Sequence, residues 1–102
     1  MKTFNKIELL GNVGNEVQIE EKEEVSYVRM NVAENYKPKE GEQITQWHNV
    51  VAFNGLAKII GEKVKKGTTI LVHGRLDQST YTDKEGIERT SYSIIANDVV
   101  IF

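Results

Sequence analysis

Strand-like runs follow one another along this chain at short spacing, and only after Phe53 does a stretch of helical period interrupt them. Leu56, Ile59, Ile60 and Val64 fall at i, i+3, i+4 and i+8, the apolar stripe of an amphipathic helix. Asn54 is placed to cap that helix and Gly67 to close it where φ > 0 is favoured. Short strands with turn signals and one helix are the pattern of a small β-barrel or sandwich. Five principal strands are expected. The first, about Asn5 to Val13, alternates Ile7 and Leu9 and runs into Gly11-Asn12 and Gly14-Asn15, with a kinked continuation through Glu16 to Glu20. The second, Val25 to Glu34, sets Val28, Met30 and Val32 on one face and Tyr27, Arg29 and Asn31 on the other. Asn35 to Gln46, with the only proline, Pro38, reads as an exposed loop.

The third strand spans about Ile44 to Phe53. The fourth, Thr69 to Ser79, turns Ile70, Val72 and Leu76 inward and Leu71, His73 and Arg75 outward. Asp83-Lys84-Glu85-Gly86 reads as a hairpin tip, and the fifth strand, Glu88 to Phe102, has Tyr92, Ile94 and Ala96 in phase. Strand–strand–strand–helix–strand–strand, with the helix between the third and fourth, is the order of an all-β oligonucleotide/oligosaccharide-binding (OB) barrel. That fold lays its ligand across the outer face of strands 2 and 3. Trp47 and Phe53 stand six positions apart on the third strand, so a period of two puts both rings on one face. Flat rings on a sheet surface suit stacking by unpaired bases, worth about 1–3 kcal/mol per base without reading sequence.

Length and composition set limits. A chain of 102 residues suffices for one domain, residues 1–102. Its 39% hydrophobic and 27% charged residues are ordinary for a globular chain, no apolar run approaches a membrane span, and no apolar segment follows Met1–Lys6 to make a secretion signal. The absence of cysteine excludes disulfides and thiolate metal sites. A net charge of −2 argues against gripping duplex DNA by bulk positive charge. Acid is nevertheless concentrated in Glu20-Glu21-Lys22-Glu23-Glu24 and Glu40-Gly41-Glu42, which leaves room for a local basic groove. Only His48 and His73 could supply imidazole, with no spacing that suits zinc or a metal pair. Lys65-Lys66-Gly67-Thr68 lacks the order of a phosphate loop, and no serine sits in a nucleophile elbow. The expectation is a binding protein, not an enzyme, without metal or cofactor.

Asn5-Lys6-Ile7-Glu8-Leu9-Leu10-Gly11-Asn12-Val13-Gly14 resembles the opening strand of the bacterial-type single-stranded DNA-binding proteins. Thr45 to Phe53 resembles that family's third strand, and Lys65-Lys66-Gly67-Thr68 with Gly74-Arg75-Leu76 resembles its helix exit and fourth strand. The resemblance covers essentially the whole chain. It implies sequence-independent binding and protection of single-stranded DNA in replication, recombination and repair, in the cytoplasm at the nucleoid. Base-stacking aromatics then fall on Tyr36, Trp47, Phe53 and Tyr81. Phosphate and polar contacts are expected from Arg29, Asn31, Lys37, Lys39, Asn49, Lys58, Arg75, Lys84 and Arg89. His48 falls at a family position for subunit contact, and a homotetramer built partly through the first strand, Ile7 and Leu9, is implied, with a dimer as the smaller alternative.

Two departures bear on this. Asp77-Gln78-Ser79-Thr80 stands where the family often carries basic residues, and Asn49 where arginine is common, so fewer phosphate contacts are implied. Asn97 to Phe102 is strand-like, unlike the family's Gly/Pro/Gln-rich linker and acidic tip, so recruitment of replication and repair proteins is expected only with such a tail. Two rival readings use the same barrel: a primosome-type paralogue with weak DNA binding, and an OB module that binds only proteins.

Overall fold

The computed structural model describes residues 1–102. Its elements are β1 (Ile7–Val13), β2 (Glu20–Lys22), β3 (Val25–Tyr36), β4 (Ile44–Phe53), α1 (Asn54–Lys63), β5 (Thr69–Thr82) and β6 (Glu88–Ile101). The strands lie in the order β1-β5-β6-β4-β3-β2, and β1 also pairs with β3 at Asn12↔Ala33 and Val13↔Val32, so the sheet closes on itself. All neighbours are antiparallel except β4 and β6, which meet in parallel at Val50↔Ile94 and Val51↔Ile95. With β2 a short addition outside the ring, this is the expected five-stranded OB barrel with its helix between the third and fourth barrel strands. No helix is long and apolar enough to cross a membrane.

Alternation builds the interior. Val28, Met30 and Val32 from β3, Val50 and Ala52 from β4, Ile70 and Val72 from β5, and Ile94 and Ala96 from β6 all point inward and are buried. β-branched residues dominate this set, and they suit the pleated strands that carry them. Ala57 and Ile60 of α1 are fully buried against the same core. Burial of an isoleucine contributes roughly 1.5–3 kcal/mol, which is what holds the helix to the barrel.

Several boundaries differ from expectation. The chain leaves the sheet after Val13, so no kinked strand runs from Glu16 to Glu20; Glu20–Lys22 instead forms a separate hairpin with β3. β3 continues to Tyr36 and β4 begins at Ile44, which shortens the intervening loop to residues 37–43. Asn54 does not cap α1: at φ 55° it takes the left-handed turn between strand and helix, and Phe53 occupies the cap position without a side-chain hydrogen bond. Asparagine tolerates that conformation through its short polar side chain. Gly67 has φ 95°, but in a separate turn beyond a helix that already ends at Lys63. Leu76 and Tyr92 keep inward parity yet are 42% and 55% exposed, because β5 has lost β1 beyond Gly74 and β6 has no β4 partner at Tyr92.

The β2–β3 turn stores strain. Glu23 and Glu24 have φ of 52° and 65°, and Lys22 pairs directly with Val25, so a two-residue hairpin loop is made with neither residue a glycine. Such turns favour Asn-Gly because left-handed backbone costs other residues roughly 1–2 kcal/mol each. Glu24→Gly is therefore expected to stabilise the protein by about 1 kcal/mol, seen as a rise of roughly 4–8 °C in Tm by circular dichroism.

Candidate nucleic-acid interface

The face of β4 opposite the core carries Trp47, Asn49, Val51 and Phe53, with Val50 and Ala52 buried between them. Trp47 is 59% exposed and Phe53 41%, so neither ring belongs to the core. The register continues this face onto β3, where Tyr27 lies opposite Phe53, Arg29 opposite Val51 and Asn31 opposite Asn49. In the other direction Val51 pairs with Ile95, and β6 in turn sets Ser93 against Asp77 and Arg89 against Tyr81. By strand parity Arg75, Asp77 and Tyr81 therefore share the surface that bears Trp47 and Phe53. One outer sheet face thus brings together three of the expected rings and all three arginines of the chain.

Tyr36 is placed elsewhere. It pairs with Ile44 and has the parity of Glu34 and Gln46, so it occupies the reverse side of the β3–β4 ribbon from Trp47. The Gln46 amide donates to its hydroxyl at 3.4 Å on that side. His48 also faces away from the ring-bearing surface; its Nε2 lies 2.8 Å from Oε1 of Glu34, and the ring is half-buried. No cluster of three or more His, Asp or Glu side chains could hold a metal ion.

Two asparagine and glycine contacts hold the platform. Asn15 accepts from the Asn31 amide at 2.9 Å and donates to the Arg29 carbonyl at 3.2 Å, so its side chain completes the β3 ladder where β1 has turned away. Gly14 lies beneath Trp47: a Cβ there would fall inside contact distance of the indole Cζ3 and Cη2 atoms. The Gly14-Asn15 step, read from sequence only as a bend, positions both the cation-bearing strand and the indole.

Each arginine already has a carboxylate partner. Arg29 meets Glu20 at 3.5 Å, Arg75 meets Asp77 at 3.3 Å and Arg89 meets Asp83 at 2.9 Å. Lys37, Lys39, Lys58 and Lys84 make no ion pair. Lys37 and Lys39 stand in the loop after β3, Lys84 at the tip of the β5–β6 hairpin and Lys58 on α1. The Arg29–Glu20 and Arg75–Asp77 pairs are exposed and contribute little stability, so a phosphate could displace those carboxylates at small cost, whereas Asp83 is half-buried and fixed to its own turn.

Asp83 organises the β5–β6 tip. Its Oδ1 accepts from the Glu85 and Ile87 amides, both at 2.9 Å, while its Oδ2 faces Arg89. The Arg89 guanidinium first, and then the Ile87 amide, hold this carboxyl below its ordinary value. A depressed folded-state value means that the contribution to tip order is full above the ordinary aspartate range and is lost as pH falls through the lowered value. Carboxyl NMR titration is expected to show Asp83 protonating below the ordinary aspartate range, with the Ile87 amide shift following it; Asp83 titrating at the ordinary aspartate value would contradict this.

Residues 4–102 match the model of the Single-strand binding protein family. Single-stranded DNA-binding protein 1 of Xylella fastidiosa is 39% identical over 105 residues, covering 97% of this chain and 77% of that protein. The mitochondrial single-stranded DNA-binding protein of Drosophila melanogaster is 40% identical over 106 residues, covering 99% and 73%. The single-stranded DNA-binding protein of Neisseria meningitidis is 32% identical over 102 residues, and this chain, matched over 95% of its own length, spans 59% of that relative. Among solved structures, a Plasmodium falciparum SSB in complex with ssDNA shares the fold, with a TM-score of 0.88 at 24% identity over 100% of this chain and 97% of that one. The order of strands around the closed sheet and the agreement along nearly the full sequence have one reading: this chain belongs to the single-strand binding protein family.

Proposed function

We propose that this protein binds and protects single-stranded DNA without sequence preference, in replication, recombination and repair, and acts as a binding protein and not an enzyme. The observation that carries the reading is the outward placement of Trp47 and Phe53 on a face that also bears Arg29, Arg75 and Arg89. Bases stack on Trp47, Phe53 and Tyr81, and a strand passing around the edge of the β3–β4 ribbon reaches Tyr36. Asn31 and Asn49 offer polar contacts between the rings. Lys37, Lys39, Lys58 and Lys84 neutralise phosphates outright, and the arginines do so by exchanging carboxylate for phosphate. A mobility-shift experiment at low salt tests this: a single-stranded oligonucleotide is retarded at concentrations where its duplex is not, whereas equal retardation of both, or of neither, contradicts it.

Only four of the unpaired lysines are assigned to the bound strand, which implies a modest salt response. Each neutralised phosphate contributes about −0.7 to the slope of log K against log salt for single strands. An arginine released from its own carboxylate adds less than a free lysine, so a slope between about −3, the sum for Lys37, Lys39, Lys58 and Lys84, and about −5, with the three arginines counted in full, is expected from titration in rising NaCl.

A homotetramer accompanies this reading. Ile7 to Gly11 of β1 are hydrogen-bonded to β5 alone, which leaves the other edge of that segment free. Leu10, Leu71 and Val100 form an apolar row across the outside of β1, β5 and β6, with Leu10 and Val100 exposed. An unpaired edge and an exposed apolar row both favour association with like copies. Ile7 and His48 are half-buried and line the cavity beside that edge, whereas the Leu9 side chain belongs to the hydrophobic core and only its backbone edge is offered to a second copy. Light scattering with and without oligonucleotide measures the stoichiometry; a monomer in both states rejects the assembly.

A further inference from the structure

One ring on the outer face has no part in the binding scheme above. Tyr27 is half-buried, points the same way as Arg29 and lies directly across the ladder from Phe53. Directly opposite residues on neighbouring strands bring their side chains within about 4.5–5.5 Å at Cβ, so the two rings are neighbours on one face. They line an open groove of about 520 Å³ together with the apolar Val25 and Val51 and the cationic Lys22 and Arg29. The Arg29 guanidinium carbon stands 5.6 Å from the centre of the Tyr27 ring. At that distance the cation is attracted to the π-face of Tyr27, so Arg29 is held beside the ring, and a base stacking on Tyr27 meets the guanidinium at its edge.

We propose that Tyr27 and Phe53 together form a paired-ring subsite for one nucleobase of the bound strand, with Arg29 meeting the adjoining phosphate. The inference rests on the single-strand-binding reading and adds to it a ring and a place. A base is broader than a phenyl group, and a two-ring surface covers more of it than Phe53 alone. The groove also juxtaposes what a nucleotide presents, an apolar plane beside an anion. Glu23 at its mouth and Glu20, which lies across the ladder from Tyr27 and pairs with Arg29 at 3.5 Å, both flank the groove, so Arg29 meets the phosphate by releasing Glu20.

The test combines Tyr27→Leu, Tyr27→Phe and the wild type, titrated against a fluorescently labelled oligo(dT) by anisotropy, with photo-cross-linking of the wild type to an oligonucleotide carrying 5-iodo-deoxyuridine. Tyr27→Leu is expected to weaken binding roughly 5- to 150-fold at an unchanged thermal midpoint, while Tyr27→Phe stays within about twofold, because only the ring is needed. Mass spectrometry is expected to find the cross-link on Tyr27. Wild-type binding with Tyr27→Leu unchanged, or with cross-links confined to other rings, overturns the subsite and leaves the broader reading standing. A wild type that fails to bind oligo(dT) overturns both, and the wild-type control alone distinguishes that case. If Tyr27→Leu melts early, the cross-link to unsubstituted Tyr27 decides.

Discussion

Replacing Trp47 by alanine is expected to weaken single-stranded DNA binding by about 1–3 kcal/mol, roughly 5- to 150-fold in Kd, while leaving the thermal midpoint almost unchanged. The two halves of that expectation have one cause. An indole that is 59% exposed contributes little to the core, so its removal leaves no cavity of the kind that destabilises an interior. The same exposure makes it a surface on which a base can lie. Gly14→Ala offers a milder version, because a methyl group there pushes the ring from its seat without deleting it. Anisotropy with a labelled oligonucleotide and a thermal melt of each variant measure both quantities. A loss of several degrees with intact binding would mean that the ring is structural.

The largest effect on stability is expected from Gly11→Ala. Gly11 stands beside the point where β1 meets β3 and closes the barrel, and a Cβ there would collide with the Ala33 carbonyl oxygen and stand 2.8 Å from Cγ1 of Val32. A side-chain tip could rotate away; a carbonyl held in a closed sheet cannot. Relief requires the strands to separate at the seam, at a cost of about 2–3 kcal/mol, or roughly 10–20 °C in Tm for a domain of this size. The seam also fixes Asn15 against β3, so DNA affinity should fall together with stability. This sets Gly11→Ala apart from Trp47→Ala, in which the two quantities separate. Urea denaturation with an unchanged midpoint would show that β1 and β3 are more loosely joined than their register implies.

The features legible in the sequence were those set by strand period. Trp47 and Phe53 lie on one uninterrupted strand, so counting by two places both rings outward, and the same count separates Arg29 from Met30. Tyr36 defeats that reasoning because its relation to Trp47 crosses from one strand to another. The pairing of Ala33 with Trp47, which only the folded register supplies, puts Tyr36 on the far side. Tyr27 was visible beside Arg29 on the outward face, but its position opposite Phe53 depends on the same register. The β2–β3 turn escaped notice because Glu23-Glu24 has none of the Asn-Gly chemistry that marks a two-residue hairpin. Leu76 and Tyr92 have inward parity but lie where β1 no longer covers β5 and β4 no longer covers β6, and parity carries no information on where neighbouring strands stop. The carboxylates on Arg29, Arg75 and Arg89 are side-chain pairings; only the Arg75–Asp77 spacing suggests one in advance.

The central claim is that the β3–β4 face holds bases against its rings, and the chain contains one tryptophan, on that face. Titrating the protein with oligo(dT) while following tryptophan emission therefore reads the site itself. Strong, saturable quenching that weakens in rising salt is the predicted result. Emission that stays constant while anisotropy reports bound oligonucleotide would mean that DNA lies elsewhere on the molecule, and the account of this face would be wrong.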